Sequence, residues 1–390
     1  MIKTQNNLDT KTMFHRPTWC EIEVSAIEHN VRQLRSLIGV DVQIYVCLKG
    51  DASGCGAVEV AIASERAGAN GFAFGNIDSA ISCRLAGVKL PILLYPTCLP
   101  ESAPVLLQHS LSPTVSTLDD VQRWNSKATS ILPVFLKIDS GGFRAGAFPN
   151  EAVVVASAVH SSPNLKLAGV YGHSLSGYGV EDPLGVTRHI QEFIKAIAAI
   201  DAAGIPAEIR ICSSSELVLN HPEADLNAVD PGRLICGIGF SSSEDRQRLW
   251  KPALVGLKSS LVMRKNLANV GDVSPAPFVK GKLGLVIGLV PIGWSDGYPK
   301  KLAAGAYALI RGKPATILGP VHSEMVRVDL TGIPDAEVGD EVVFLGASND
   351  ASIDLENLAN QWGMPIFDVY CRVGKSVPRV YLKTLQKNQS

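Results

Sequence analysis

From residue 18 to about residue 219 the sequence alternates short apolar runs with amphipathic stretches, and that alternation limits the folds open to it. Runs at 42–48, 71–74, 91–95, 132–138, 167–171 and 208–212 have strand composition; Val42, Ile44 and Val46, for instance, alternate with Gln43 and Tyr45. Segments at 57–67, 150–160, 188–203 and 215–219 carry apolar residues at helical spacing, and another helix carries Ala80 and Leu85. Such repetition requires parallel strands joined by helical crossovers. A (β/α)8 barrel and a doubly wound sheet both satisfy it. The unusual polar residues choose between them. Lys49, Lys137 with Asp139, His173, Ser213 with Ser214, and Asp230 fall at or just past the carboxyl ends of different strands. A barrel assembles its site there, whereas a doubly wound sheet would gather them at one switch point. The expected fold class is α/β, a (β/α)8 TIM barrel.

After about residue 250 the rhythm changes. Short strands are expected at 254–264, 283–289, 307–311, 313–318, 326–329, 341–345 and 376–383, separated by Gly, Pro and Asp turns and without long helices. A loop is expected at 270–280. The expected organisation is an N-terminal extension over 1–16, a barrel over 17–250 that begins with the alternating strand at 18–24, and a C-terminal β-rich domain over 251–390.

Composition narrows the partners. With 36 basic and 37 acidic residues the net charge is −1, so no global field favours nucleic acid or an anionic membrane. No window holds eighteen uninterrupted apolar residues, and the polar start is unlike a secretion signal, which predicts no membrane and a cytoplasmic location. The 8 cysteines are scattered, mostly within apolar runs, with no C-x-x-C pair and no His/Cys cluster at zinc spacing. That usage fits a reducing compartment, and no metal is expected. A small molecule is the expected partner.

Lys49 stands where the strand at 42–48 runs into a glycine-punctuated loop. Burying an ammonium is costly as structure and useful as chemistry, because desolvation frees the amine to attack a carbonyl. A partly exposed lysine at a strand end is the plainer alternative. The wider set of motifs bears on the choice. Lys49-Gly-Asp-Ala-Ser-Gly-Cys-Gly resembles the pyridoxal-phosphate lysine segment of alanine racemases, commonly K-A-N-A-Y-G-H-G. Leu136-Lys-Ile-Asp-Ser-Gly-Gly-Phe-Arg144 resembles their L-K-x-D-T-G-M-x-R, and Gly169-Val-Tyr-Gly-His173 their barrel histidine strand. Gly293-Trp-Ser-Asp-Gly-Tyr298 is similar to G-Y-A-D-G-Y, and Ser376-Val-Pro-Arg379 to the terminal R-V-P-R. Order and spacing hold from about residue 16 to 381.

The resemblance implies an enzyme of fold type III with pyridoxal 5'-phosphate bound to Lys49 as an internal Schiff base. It also implies a homodimer whose site lies between one barrel and the partner's β domain. Two departures bear on the reaction. Where racemases usually carry V-R-P-G, this chain has Val229-Asp230-Pro231-Gly232-Arg233, more like the E-P-G-R of related decarboxylases. A carboxylate there holds the pyridine nitrogen protonated, whereas arginine leaves it unprotonated. The stretch 169–177, with His173 and Ser176, also resembles the decarboxylase G-V-x-x-H-x-G-S-G. Trp294 occupies the place of the racemase tyrosine that serves as the base opposite lysine, and indole has no proton chemistry near neutrality. His322, in Gly319-Pro-Val-His-Ser-Glu324, stands where the decarboxylases place a cysteine on the far face of the substrate. Imidazole titrates near neutrality and could act as a second base or as a proton donor.

Other roles follow from the resemblance alone. Ser214 and the backbone of Gly232 and Arg233 would bind phosphate, while Ser53 and Phe367 fall where racemases usually place phosphate-binding tyrosines. His173 would pack on the cofactor ring. Arg144, supported by Lys137 and Asp139, would bind a substrate carboxylate or the cofactor's phenolic oxygen. Tyr298 and Glu324 would lie near the substrate from the partner subunit, and Ser323 would bind the substrate too. The first reading is a racemase or epimerase of amino acids with an atypical active site. Decarboxylation or transamination of an amino acid is the alternative that Asp230 suggests. A non-catalytic cofactor carrier is a third, against which the full β domain counts.

Overall fold

The computed structural model describes residues 15–173, 183–239, 249–267, 284–374 and 376–382. Ser176 and Gly177, the expected loop at 270–280, and most of the N-terminal extension lie outside them. Two compact units are present, Val24–Pro252 and the remainder.

In the Val24–Pro252 unit, helix α1 (Val24–Leu37) leads into eight strands. These are β2 (Gln43–Cys47), β3 (Gly71–Phe74), β4 (Ile92–Leu94), β5 (Thr114–Val115), β6 (Leu132–Lys137), β7 (Leu165–Tyr171), β8 (Ile209–Ser213) and β9 (Ala228–Val229). Every pair in the order β4-β3-β2-β9-β8-β7-β6-β5 is parallel where it is joined, except that β4 and β5 form its two ends. A parallel bridge of Leu93 with Ser112, two residues before β5, draws those ends together, so the sheet is a nearly closed barrel. The crossovers between strands are helices, among them α2 (Ala57–Arg66), α3 (Ile77–Leu85), α4 (Ala103–Gln108), α5 (Leu118–Lys127), α6 (Ala152–Ser161), α7 (Pro183–Ala202) and α8 (Ser215–Asn220). Local signals start them. Thr117 and Asp120 form a reciprocal capping box on α5, at 3.1 Å in each direction, and Asn76 caps α3 through the Ser79 N–H at 2.8 Å.

Large and small side chains alternate in the barrel interior, with Tyr45, Phe135 and Tyr171 against Ala73 and Ala228. Gly169 permits a close approach there. A Cβ at that position would lie 2.5 Å from the Ile209 carbonyl oxygen and 2.8 Å from the Phe135 ring.

The second unit comprises the described residues up to Glu23 and from Ala253. Its sheet runs β11-β12-β15-β14-β13-β16-β10-β1-β18, with β17 paired to β16. The strands are β1 (Thr18–Glu23), β10 (Leu254–Ser260), β11 (Met263–Asn266), β12 (Val286–Val290), β13 (Tyr307–Ile310), β14 (Lys313–Leu318), β15 (Val326–Asp329), β16 (Glu341–Ser348), β17 (Ala351–Ile353) and β18 (Arg379–Leu382). Two short helices missed in the sequence, α9 (Leu355–Trp362) and α10 (Ile366–Arg372), follow β17.

One boundary needs correcting. The strand at 18–24 was expected to open the barrel, but β1 lies between antiparallel β10 and parallel β18, as in Cys20 opposite Leu257 and Arg379. Its alternating pattern specifies a half-buried strand and not the partner it pairs with. The barrel unit therefore starts at Val24 instead of residue 17.

Candidate active site

Lys49 follows β2 by two residues, after Leu48 extends the ladder by donating to the Ala73 carbonyl at 2.8 Å. The backbone then enters the left-handed region at Gly50, Asp51, Ala52 and Ser53, with φ between 54 and 61°. For residues with a Cβ this costs about 1–2 kcal/mol each. Offsetting contacts hold the turn: Gly54 N–H donates to Gly50 O at 2.9 Å, and the Asp51 carboxylate accepts the Ala57 N–H at 2.8 Å where α2 begins. The turn reverses the chain sharply while Lys49 stays at the barrel mouth. Its side chain is exposed, with Nζ 4.9 Å from the centroid of the Tyr95 ring, so the plainer alternative describes its surroundings better than the expected burial.

Tyr95 lies one residue past β4 and donates its hydroxyl to Asp230 Oδ2 at 2.8 Å. Asp230 is 4% exposed, and burial raises its carboxyl to a pKa of about 6 even though Tyr95, Lys49 and Lys137 pull the other way. Burial also lowers the Lys137 ammonium to about 8, helped by Arg144; its Nζ sits 4.8 Å from the centroid of the Tyr171 ring. His173, just past β7, is lowered to about 3 by burial and then by Lys49, Lys137 and Arg144. The imidazole is neutral throughout the physiological range and offers a flat face without charge.

Asp139 organises the loop after β6. Oδ1 accepts the N–H groups of Gly141 at 3.0 Å, Gly142 at 2.6 Å and Phe143 at 3.1 Å, and Oδ2 that of Arg144 at 2.9 Å. Burial alone would raise this carboxyl, but the four backbone donors hold it below the usual carboxylate value. The exposed Arg144 is thereby fixed through its own backbone. Lys137, Asp139, Gly142, Arg144, Ala145 and His173 line a cavity of about 250 Å³. After the neighbouring strand β8, Ser214 precedes α8 without capping it, and the Gly232 N–H is donated to Ser215 Oγ at 3.0 Å. That bond engages a backbone donor expected to face phosphate.

The sheet unit brings the other predicted residues together. Trp294 N–H donates to the His322 carbonyl at 3.0 Å, and Ser295 N–H to that of Ser323 at 2.9 Å. This approach needs Gly293, where a Cβ would collide with both carbonyl oxygens. Trp294 is 44% exposed, with Lys300 Nζ 4.4 Å from its ring centroid, and His322, Ser323 and Glu324 are exposed beside it. Tyr298 departs from expectation. It is 2% exposed and packs edge-on against Phe344 and Trp362, at 5.3 and 5.2 Å, so its aromatic ring belongs to the core of this unit and not to a substrate surface. Asp296 beside it is a structural anchor that accepts from Gly293 N–H, Arg16 and Ser376.

With this geometry in place, known proteins give a direct comparison. The description "Alanine racemase, N-terminal domain" matches residues 22–239, and "Alanine racemase, C-terminal domain" matches 254–381. The chain belongs to the alanine racemase family. It is 31% identical over 373 residues to an alanine racemase of Desulfovibrio desulfuricans, covering 95% of this chain and 99% of the relative. Identity to that of Desulforamulus reducens is 30% over 371 residues, covering 94% and 99%. Among solved structures, the Bacillus anthracis alanine racemase with bound L-Ala-P superposes with a TM-score of 0.84 at 25% identity, covering 95% of this chain and 96% of that one. The alanine racemase of E. faecalis gives 0.82 at 27%, covering 95% and 99%. As a member of this family the chain is an amino-acid racemase, an isomerase that uses pyridoxal phosphate.

The barrel residues fit that cofactor. An amine able to take up its aldehyde, Lys49, stands at the mouth, and Gly75 leaves room beside it, where a Cβ would touch the Lys49 Cγ at 3.5 Å. A buried carboxylate, Asp230, has one oxygen bonded to Tyr95, and no other side chain among the described residues donates to it. Its second oxygen is thus left to accept from a protonated ring nitrogen. Among the described residues no group of three or more His, Cys, Asp or Glu is arranged to hold a metal, and no helix is long and apolar enough to cross a membrane. Tyr95 was missed in the sequence, although it ends the strand expected at 91–95 and so obeys the rule that singled out Lys49 and Lys137.

Proposed function

We propose that this racemase uses Lys49 and His322 as its two proton-handling groups, on opposite faces of the substrate Cα, with Trp294 in place of a tyrosine base. The supporting observation is the backbone pairing of Trp294 with His322, which ties a flat, non-titrating ring to an exposed imidazole 28 residues away. Pyridoxal phosphate, when bound, supplies the electron sink that stabilises negative charge at Cα. Asp230 holds a proton at the ring nitrogen. His173 covers the ring, Ser214 with the Gly232–Arg233 backbone binds phosphate, and Arg144 binds the substrate carboxylate or the phenolic oxygen. Ser323 and Glu324 contact the substrate.

We infer further that the protein acts in the cytoplasm as a homodimer with shared sites. The names of its relatives make alanine the first substrate to test. Asp230 also favours a second reading, because a protonated ring nitrogen is a stronger electron sink and would serve decarboxylation or transamination of an amino acid equally. The test is incubation with L- and D-alanine, then a panel of other amino acids, in D2O. Racemisation predicts deuterium at Cα and loss of optical activity for at least one substrate. It also predicts that His322→Asn slows exchange by a factor of about 10²–10⁴ from one enantiomer more than from the other. Carbon dioxide release, or conversion of the cofactor to its amine form, without Cα exchange in the recovered amino acid would refute it in favour of the second reading. Absence of every one of these signals would leave only a cofactor carrier.

A further inference from the structure

We propose that Tyr95 is a positioning residue for the cofactor's ring nitrogen: its hydroxyl donates to Asp230 Oδ2, turns Oδ1 toward the barrel mouth, and keeps the proton of the nitrogen–carboxylate contact on the nitrogen. The proposal rests on the assignment of Asp230 to that nitrogen.

Tyr95 and Asp230 follow strands on different parts of the barrel, β4 and β9, yet meet at 2.8 Å, with 9% and 4% of their surfaces exposed. Ionised Asp230 can only accept, so the phenol must be the donor. The ring has little freedom. Tyr95 N–H donates to the Phe74 carbonyl at 2.9 Å, and the ring lies 5.8 Å from that of Tyr171. The Tyr171 hydroxyl shares a hydrogen bond with Thr114 Oγ1 at 2.9 Å, and Thr114 donates to the Leu94 carbonyl at 2.7 Å. The Lys49 ammonium sits over the Tyr95 ring. One aromatic side chain thus touches both the amine that would take up the aldehyde and the carboxylate that would face the ring nitrogen.

A carboxylate that accepts a phenolic hydrogen bond is a weaker base than one that does not. When a proton is shared between Asp230 Oδ1 and the ring nitrogen, the Tyr95 bond at Oδ2 therefore biases it toward nitrogen. Without the hydroxyl the proton moves toward the carboxyl. A hydrogen bond to a charged group corresponds to a change in that ratio of about tenfold or more.

The experiment is 15N NMR of holoprotein loaded with pyridoxal phosphate labelled at the ring nitrogen, comparing wild type, Tyr95→Phe and Asp230→Asn at neutral pH. Phenylalanine preserves the ring against Tyr171 and beneath Lys49. Asp230→Asn should carry the signal to the neutral-pyridine position, and Tyr95→Phe should displace it part-way in the same direction. A shift in Asp230→Asn with none in Tyr95→Phe would overturn the role of Tyr95 and leave that of Asp230 standing. No shift in either would overturn both. A wild-type measurement guards against a misfolded variant: the Tyr95 hydroxyl proton should give a slowly exchanging resonance moved downfield by the carboxylate, and a freely exchanging hydroxyl would refute the proposal.

Discussion

Replacing Asp139 by asparagine tests how the loop that carries Arg144 is held. The carboxylate accepts four backbone N–H groups, three at Oδ1 and that of Arg144 at Oδ2. An amide can keep the three at its carbonyl oxygen, but its NH2 group then faces the Arg144 N–H donor to donor. One charge-assisted bond is lost and the other three weaken with the loss of charge, for a total of roughly 2–4 kcal/mol against the ordered loop. In Asp139→Asn, amide hydrogen exchange at residues 141–144 should accelerate by about thirtyfold or more at neutral pH. The KM for an amino acid should rise as Arg144 loses its fixed position. The sign of the pH dependence follows from the depressed carboxyl. Its contribution is complete above the unfolded value of 3.8 and is lost as pH falls through the lower folded value, so the difference between wild type and variant should close in acid. Exchange rates and KM that both match wild type at neutral pH would refute this account of the loop.

Two further outcomes are expected. Asp230 is raised from 3.8 to about 6 by burial, so the folded cofactor-free protein binds the extra proton and loses stability as pH rises through that range. Cofactor-free Asp230→Asn should therefore be more stable than wild type above about pH 6, by on the order of 2–3 kcal/mol, and lose that advantage below about pH 4 in urea titrations; an advantage independent of pH would contradict it. Gly169→Ala should destabilise the barrel by about 1–3 kcal/mol or more through contact with Ile209 and Phe135, read as a lower urea midpoint at unchanged slope.

Much of the barrel was legible because its longer strands carry their own periodicity. The expected 71–74 coincides with β3, and 132–138 and 208–212 fall within one residue of β6 and β8 at each end. Strands β5 and β9 have only two residues each, too few for any pattern, and were not foreseen as strands. Asp230 nevertheless stands just past a strand end, directly after β9, as expected. Side-chain direction was not legible. Gly-Trp-Ser-Asp-Gly-Tyr resembles a substrate segment throughout, yet Tyr298 turns into the core while Trp294 stays exposed. The link from Tyr95 to Asp230 joins residues 135 positions apart and depends on barrel closure, which a linear pattern does not encode. The partner of β1 was hidden for the same reason, being more than two hundred residues away.

Every role assigned at the barrel mouth turns on Lys49 as the attachment point of pyridoxal phosphate. Reconstituting the purified protein with the cofactor, reducing it with borohydride and mapping the modified peptide by mass spectrometry measures this directly. The phosphopyridoxyl group should be found on Lys49 and be missing from a Lys49→Ala protein treated identically. Modification of a different lysine, or of none, would contradict it.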